Sequence, residues 1–435
     1  MSSKQRVAVI GAGIAGLSAA YHLRDDAEVT IFERNDYVGG HAHTVTVTEG
    51  SREIGIDTAF VVCNGRTYPQ LMQFFTELDV DLCDHTGGFN FFDLDTGVQF
   101  GSEEFELTEE QVAKRYPAEF LTMWRDAERF HREAPRDFLR RRADVSLAEY
   151  LDTNGYSAEF RYGYVVLLAT AVWSVPAELI WELPASTLIA FYMAHDPGGL
   201  GGRSVAWKTV ANGSASYVRR ALEVIGADVR TCSEIVAVRE TDTGVEVVTP
   251  GGIEHFDQVV VATHADEASR LATDRPDARA YLDRVAYSRT HAVLHTDPSV
   301  VPGDRSRWQS WNYGRATREG RTQSWVAYYM NRLQGFTSEH DYFVTLDCPL
   351  QIDPDRVIRE MHFTHPIITC EVRAMQDDIY HLNNRSRVKF CGSYFHSRKI
   401  GPDLIGSHES AFSSGVHAAA AILRSAPANQ SAVSV

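Results

Sequence analysis

The chain has 435 residues, 44% of them hydrophobic and 23% charged, with a formal net charge of -16. That length suits two interleaved domains, and the composition is that of an ordinary globular protein rather than a disordered or fibrous one. The acidic balance repels phosphate backbones and excludes nucleic acid as an expected partner.

Residues 6–34 read RVAVIGAGIAGLSAAYHLRDDAEVTIFER. An apolar strand, a glycine turn, a helix with an apolar face and a second strand predict a βαβ unit. Gly11 permits the tight turn, Gly13 lets the backbone approach a diphosphate, and Gly16 lets the helix pack on the strand. The helix starts at Ile14 and Ala15, where its N-terminal dipole favours phosphate. Glu33 follows the second strand, about 20 positions after the first glycine, where a carboxylate accepts both hydroxyls of an adenosine ribose. This unit alone leaves NAD and FAD equally open.

Further along, TYPQLMQFFTEL predicts a helix over 67–78 with Pro69 in its first turn. From 107 to 200 the pattern is mostly helical, over 117–142, 146–153, 158–173 and 187–195. The apolar run 164–173 is well short of the roughly 20 residues of a membrane helix, so no transmembrane segment is expected. The glycine cluster GGLGG at 198–202 is not framed by strand and helix and makes no second nucleotide fingerprint. A helix near 214–225 precedes strands at 228–230, 235–240, 244–249 and 255–262, the last continuously apolar as a strand buried on both faces is. Aromatic residues gather at 308–313 and 325–335 with strand alternation. They line a pocket or fill a core. The six cysteines show neither a zinc spacing nor a disulfide framework, which fits a reducing cytosol. His396 and His408 match no metal pattern, so no metal is expected.

The continuation ERNDYVGGHAHTV from Glu33, the strand VKFCGSY from Val388 and the helix starting at SHES resemble the flavin-containing amine oxidase superfamily. Within it, YVGGHAHTV, IDTAFVVCNGRTYP, WSVP, THP and FCGSY are similar to a group known as predicted FAD- or NAD-binding oxidoreductases, found beside lipid-modifying methyltransferases. The resemblance implies an α/β fold, a Rossmann-like FAD-binding domain of the amine oxidase type interleaved with an α+β substrate domain. The FAD-binding parts are 1–66, 206–268 and 387–424, the substrate parts 67–205 and 269–386, and 425–435 is a disordered tail. FAD is the implied cofactor, held by the βαβ residues and by Arg34, Gly39, Gly40, His41, Thr58, Val236, Gly392, Ser393, His408, Glu409 and Ser410. The departures from the family are His41 where arginine often follows the double glycine, Ala59 where glycine is usual, and an insert at 396–406 that is a pocket wall or a surface loop. Amine oxidases commonly keep a lysine near flavin N5, whereas the corresponding strand here carries Thr290 and His291.

The expected activity is dehydrogenation of an apolar, fatty-acyl or carrier-bound substrate by hydride transfer to flavin N5, with oxygen or a separate redox partner as acceptor. The alternatives are a redox-neutral double-bond isomerase, an amine oxidase and a non-catalytic flavoprotein. His291, His41, Tyr68 and Tyr394 are the candidates for proton handling, since each type transfers protons and each adjoins a segment assigned to the flavin.

Overall fold

Val7, Ala8, Val9 and Ile10 are four consecutive buried residues, as a strand covered on both faces requires. They form most of β1 (Gln5–Ile10), which starts a computed structural model describing residues 4–85, 87–173, 178–195, 205–318, 320–384, 386–395 and 405–425. Helix α1 (Ile14–Leu23) leads to β2 (Ala27–Phe32). The later strands β3 (Asp228–Arg230), β4 (Gln258–Val261) and β5 (Val388–Phe390) complete a parallel sheet ordered β3-β2-β1-β4-β5. Chain segments more than 200 residues apart thus share one sheet, with β1 at its centre.

The C-terminal helix His408–Ser425 packs on α1 through Gly415, whose Cβ, if present, would stand 2.2 Å from the Ala15 carbonyl oxygen. The Ser18 hydroxyl donates to the Phe412 carbonyl across the same contact. Leu17 and Leu23 are fully buried beneath it, each stabilising the fold by roughly 1.5–3 kcal/mol.

A second, seven-stranded sheet runs in the order 357–366, 287–295, 343–346, 321–329, 311–318, 89–93, 99–101. The aromatic segments pair antiparallel, Trp311 opposite Tyr328 and Tyr313 opposite Val326. Helices Ala118–Leu139 and Ala185–His195 cover this side. Among the described residues no helix is long and apolar enough to cross a membrane.

Three local features differ from the sequence expectation. The apolar run 255–262 divides into a hairpin strand, Gly252–Phe256, and β4, because Asp257 between them accepts the Arg6 amide through its carboxylate at 2.7 Å. The helix over 158–173 contains a π-helical turn at Arg161–Val165. Its Gly163 lies against Met123, 3.3 Å from sulfur to where a Cβ would be. Strands Leu82–His85, Phe89–Asp93 and Gln99–Gly101 lie between the helix expected over 67–78 and the helical stretch from 107, where no strand was expected; the first two are ordered by pairing with distant strands and the third by pairing with Phe89–Asp93. The 198–202 cluster, residues 396–404 of the insert and 426–435 of the tail lie outside the described residues.

Candidate functional site

The turn after β1 is built by close approach. Gly11 has φ +101° and its absent Cβ would stand 2.8 Å from the Ala262 carbonyl oxygen, while one on Gly16 would stand 2.0 Å from the Gly11 oxygen. Gly13 differs, because a Cβ there would meet nothing within 4 Å. It is the N-cap of α1 and offers no side-chain cap, so the first-turn amides are free to take an anion. Gly39 donates its amide to the Ala12 carbonyl at 2.9 Å, and a Cβ on Gly40 would lie 3.2 Å from Gly13 Cα. Both have positive φ, 116° and 59°, which glycine adopts without penalty. The double glycine therefore packs against the backbone of the turn at Gly13 and leaves the space that Gly13 faces open. Glu33 is buried and its carboxylate accepts from the Ala12 amide and from the Asn35 amide and side chain, each at 2.9 Å.

Arg34 turns outward to pair with Glu267 at 2.6 Å. The Val236 amide donates to the Val248 carbonyl at 2.8 Å, which leaves its own carbonyl as the group able to face a base. The Thr58 hydroxyl lies 2.6 Å from His43 Nδ1. Next to it, Asp57 accepts from the Ser214 amide and hydroxyl at 2.7 Å and from the Thr44 hydroxyl at 2.6 Å, and burial pushes its carboxyl up to about 6.

At the other end of the sheet, a Cβ on Gly392 would collide with the Tyr394 ring at 2.4 Å. The Ser393 carbonyl accepts from the Ser410 hydroxyl at 3.1 Å and from the Gly406 amide at 2.8 Å. His408 stacks on Phe60 with ring centroids 3.8 Å apart and lies 2.7 Å from the Tyr217 hydroxyl; burial takes it down to about 3. Glu409, counted among the cofactor contacts in sequence, has another partner. Its carboxylate accepts the amides of Gln70 and Leu71, each at 3.0 Å, and so caps helix Pro69–Glu77, which has no side-chain cap of its own.

The four proton-handling candidates do not converge. His41 lies between His365, His264 and Phe363, with ring centroids 5.0, 6.1 and 5.3 Å away. Burial first, then the neighbouring imidazoles His365, His264 and His408, hold it well below the usual histidine value. Tyr68 is the N-cap of helix Pro69–Glu77, and burial raises its phenol. Tyr394 is 1% exposed, with its hydroxyl 3.4 Å from the Cys391 carbonyl, and serves as core under Gly392. His291 stands on the other face of its strand, beside Glu360 at 3.2 Å and stacked on His362, while Thr290 points inward. The strand's alternation removes His291 from the group around His41. His264 and His365, which sequence reading passed over as site residues, take its place; Phe363 and His365, two apart on strand Val357–Pro366, share the inward face.

Between helix Ala185–His195 and strands 207–210 and 311–318, His195 stacks between Phe191 and Trp207 at 4.0 and 5.0 Å, Trp207 lies 6.4 Å from Trp311, and His85 packs on Trp311. Burial pushes His85 and His195 down to about 4, so both imidazoles are neutral at neutral pH, and the Arg332 and Arg66 guanidiniums nearby lower them further; burial takes His131, beside Tyr164, to about 4 as well. Among the described residues no group of three or more His, Cys, Asp or Glu is placed to hold a metal.

An open helix N-terminus beside a double glycine and a buried acid after β2 belong to an FAD-dependent oxidoreductase. The model of the flavin containing amine oxidoreductase family matches residues 14–332, and the chain belongs to that family. Putrescine oxidase superposes with a TM-score of 0.67 at 16% identity, covering 97% of this chain and 99% of that one. Cyclohexylamine oxidase from Brevibacterium oxydans IH-35A gives 0.66 at 17%, with the same coverage. A CLA-producing fatty acid isomerase from P. acnes gives 0.61 at 15%, covering 98% and 100%. At such identities the likeness concerns the fold. A 1-hydroxycarotenoid 3,4-desaturase from Flavobacterium sp. (strain P99-3) is 29% identical over 101 residues, 23% of this chain and 19% of that protein.

Proposed function

We propose that this protein dehydrogenates an apolar, uncharged substrate, of fatty-acyl or carrier-bound type, and passes the electrons to oxygen or a separate redox partner. The observation that carries this reading is the uncharged wall of Phe191, His195, Trp207, Trp311 and His85, all held by ring contacts. A cationic amine is better served by a carboxylate or by a lysine-assisted site, and the strand expected to bear that lysine turns buried Thr290 inward. The relatives that act on a carotenoid and a fatty acid lend support to an apolar substrate.

FAD, when bound, supplies the electron-accepting ring. The chain supplies the rest. Gly11, Gly13, Ile14, Ala15, Gly16, Glu33, Gly39 and Gly40 would hold the dinucleotide, with the amides near Gly392, Ser393 and His408 beside it. The aromatic wall orients the substrate and excludes water. A single bond of the substrate becomes double, and the acceptor gains two electrons and two protons, oxygen becoming hydrogen peroxide. Away from this wall, in the cluster with His264 and Phe363, His41 Nε2 and His365 Nδ1 are buried without partners and are places where a proton can be held or received.

The test is product mass and oxidant stoichiometry with long-chain acyl thioesters, apolar polyenes and primary amines. A product lighter by two hydrogens from an apolar substrate, with one equivalent of oxidant consumed, is the expected result. A product of unchanged mass indicates isomerisation, and turnover of amines alone indicates amine oxidation; either result refutes the proposal.

A further inference from the structure

His41 follows the double glycine and stands where segments 264, 363–365 and 408 meet. Its Nε2 and the Nδ1 of His365 are both buried without a hydrogen-bond partner, 5.0 Å apart by ring centroids. Buried polar atoms are nearly always paired. Two such atoms on neighbouring rings mark a place completed by a ligand. The preceding residue, Gly40, packs on Gly13 at the open start of α1, where an anion is favoured.

We propose that His41, backed by His365 and His264, is a protonatable anion site that takes up a proton when the diphosphate of FAD binds. This rests on FAD being the cofactor and not on the substrate. In the free protein burial and the imidazoles of His365, His264 and His408 disfavour a charge on His41, and a hydrogen bond to the Thr364 backbone opposes them only in part. His264 in turn feels Glu267, Asp266 and Arg34, of which Glu267 and Arg34 pair with each other, and its Nδ1 lies 3.1 Å from the Thr364 hydroxyl. Burial keeps His365 at about 4. A diphosphate brings negative charge beside these rings and reverses the balance. One proton passes from solvent to an imidazole nitrogen, with no electron transferred.

Linkage fixes the direction. The bound state holds more protons than the free state between the free and bound titration points, so FAD affinity weakens by up to about tenfold per pH unit as pH rises through that window. A permanent guanidinium at position 41 would give no such dependence.

The test is calorimetric titration of FAD into apo-protein at pH 6.5, in two buffers of different ionisation enthalpy, with Kd measured from about pH 6 to 8. Uptake of about one proton per FAD is expected, lost in H41Q, and H41R is expected to bind FAD tightly without uptake. Equal heats in both buffers with a flat Kd would overturn the proposal, as would full uptake retained in both H41Q and H365Q. The measurement on the unmodified protein decides even where a variant fails to fold, and no substrate enters it.

Discussion

Glu409 shows how one side chain of this chain changes meaning with distance. In sequence it belongs to the start of a helix expected beside the flavin; in space its carboxylate closes the amides of Gln70 and Leu71, more than 330 positions away. Glu409→Ala is therefore expected to cost about 1 kcal/mol, the usual worth of a lost cap, measured by denaturant unfolding, while an unchanged midpoint would contradict the cap. The histidines make a second residue-scale prediction. His365 at about 4 and His408 at about 3 are depressed from the ordinary value near 6.5, so below about pH 6.5 the unfolded chain binds more protons than the folded one. Stability is fully present above that pH and is lost as pH falls toward 4. Unfolding free energies at pH 7 and pH 5 should show this decline, and H408F should make it shallower; a slope identical to that of the unmodified protein would exclude His408 as a contributor. No reading of the sequence alone joins positions 41, 264, 365 and 408, because each lies on a separate segment and only strand register decides which face His365 and His291 take.

Among the elements, the β1-α1-β2 unit was legible because its whole logic is local: strand, glycine turn, helix and acid follow one another within 30 positions, with Gly11 and Gly16 each avoiding a backbone contact and Gly13 facing open space. Gly13 and Gly16 separate folding from binding. Gly16→Val drives a side chain into the Gly11 carbonyl and should unfold the unit. Gly13→Ala places a methyl in open space, so the variant should keep its native circular dichroism and melting temperature yet lose FAD affinity at least tenfold by fluorescence titration, as expected where a methyl fills the room a phosphate needs. Loss of fold in Gly13→Ala, or undiminished FAD binding, would contradict the cradle. The short strands at 82–85 and 89–93 were not legible, since their partners at 207–210 and 311–318 arrive later in the chain, and 99–101 is a strand only by pairing with 89–93; pairing rather than propensity makes them strands.

Across the whole molecule, an uninterrupted apolar run predicted β4 and the C-terminal signature predicted β5, and the five-stranded parallel sheet brings them beside β1. The substrate side was legible only as aromatic content. That Trp207, Trp311, His195 and His85 meet in one wall follows from the way the strands 82–85 and 207–210 pair under helix Ala185–His195. The central claim is that this uncharged wall presents an apolar substrate to FAD held over α1. Anaerobic mixing of the FAD-loaded protein with acyl thioesters, polyenes and amines, followed by flavin absorbance, tests it most directly. Bleaching by an apolar compound without any nicotinamide cofactor is the predicted result; bleaching by amines alone would contradict the claim.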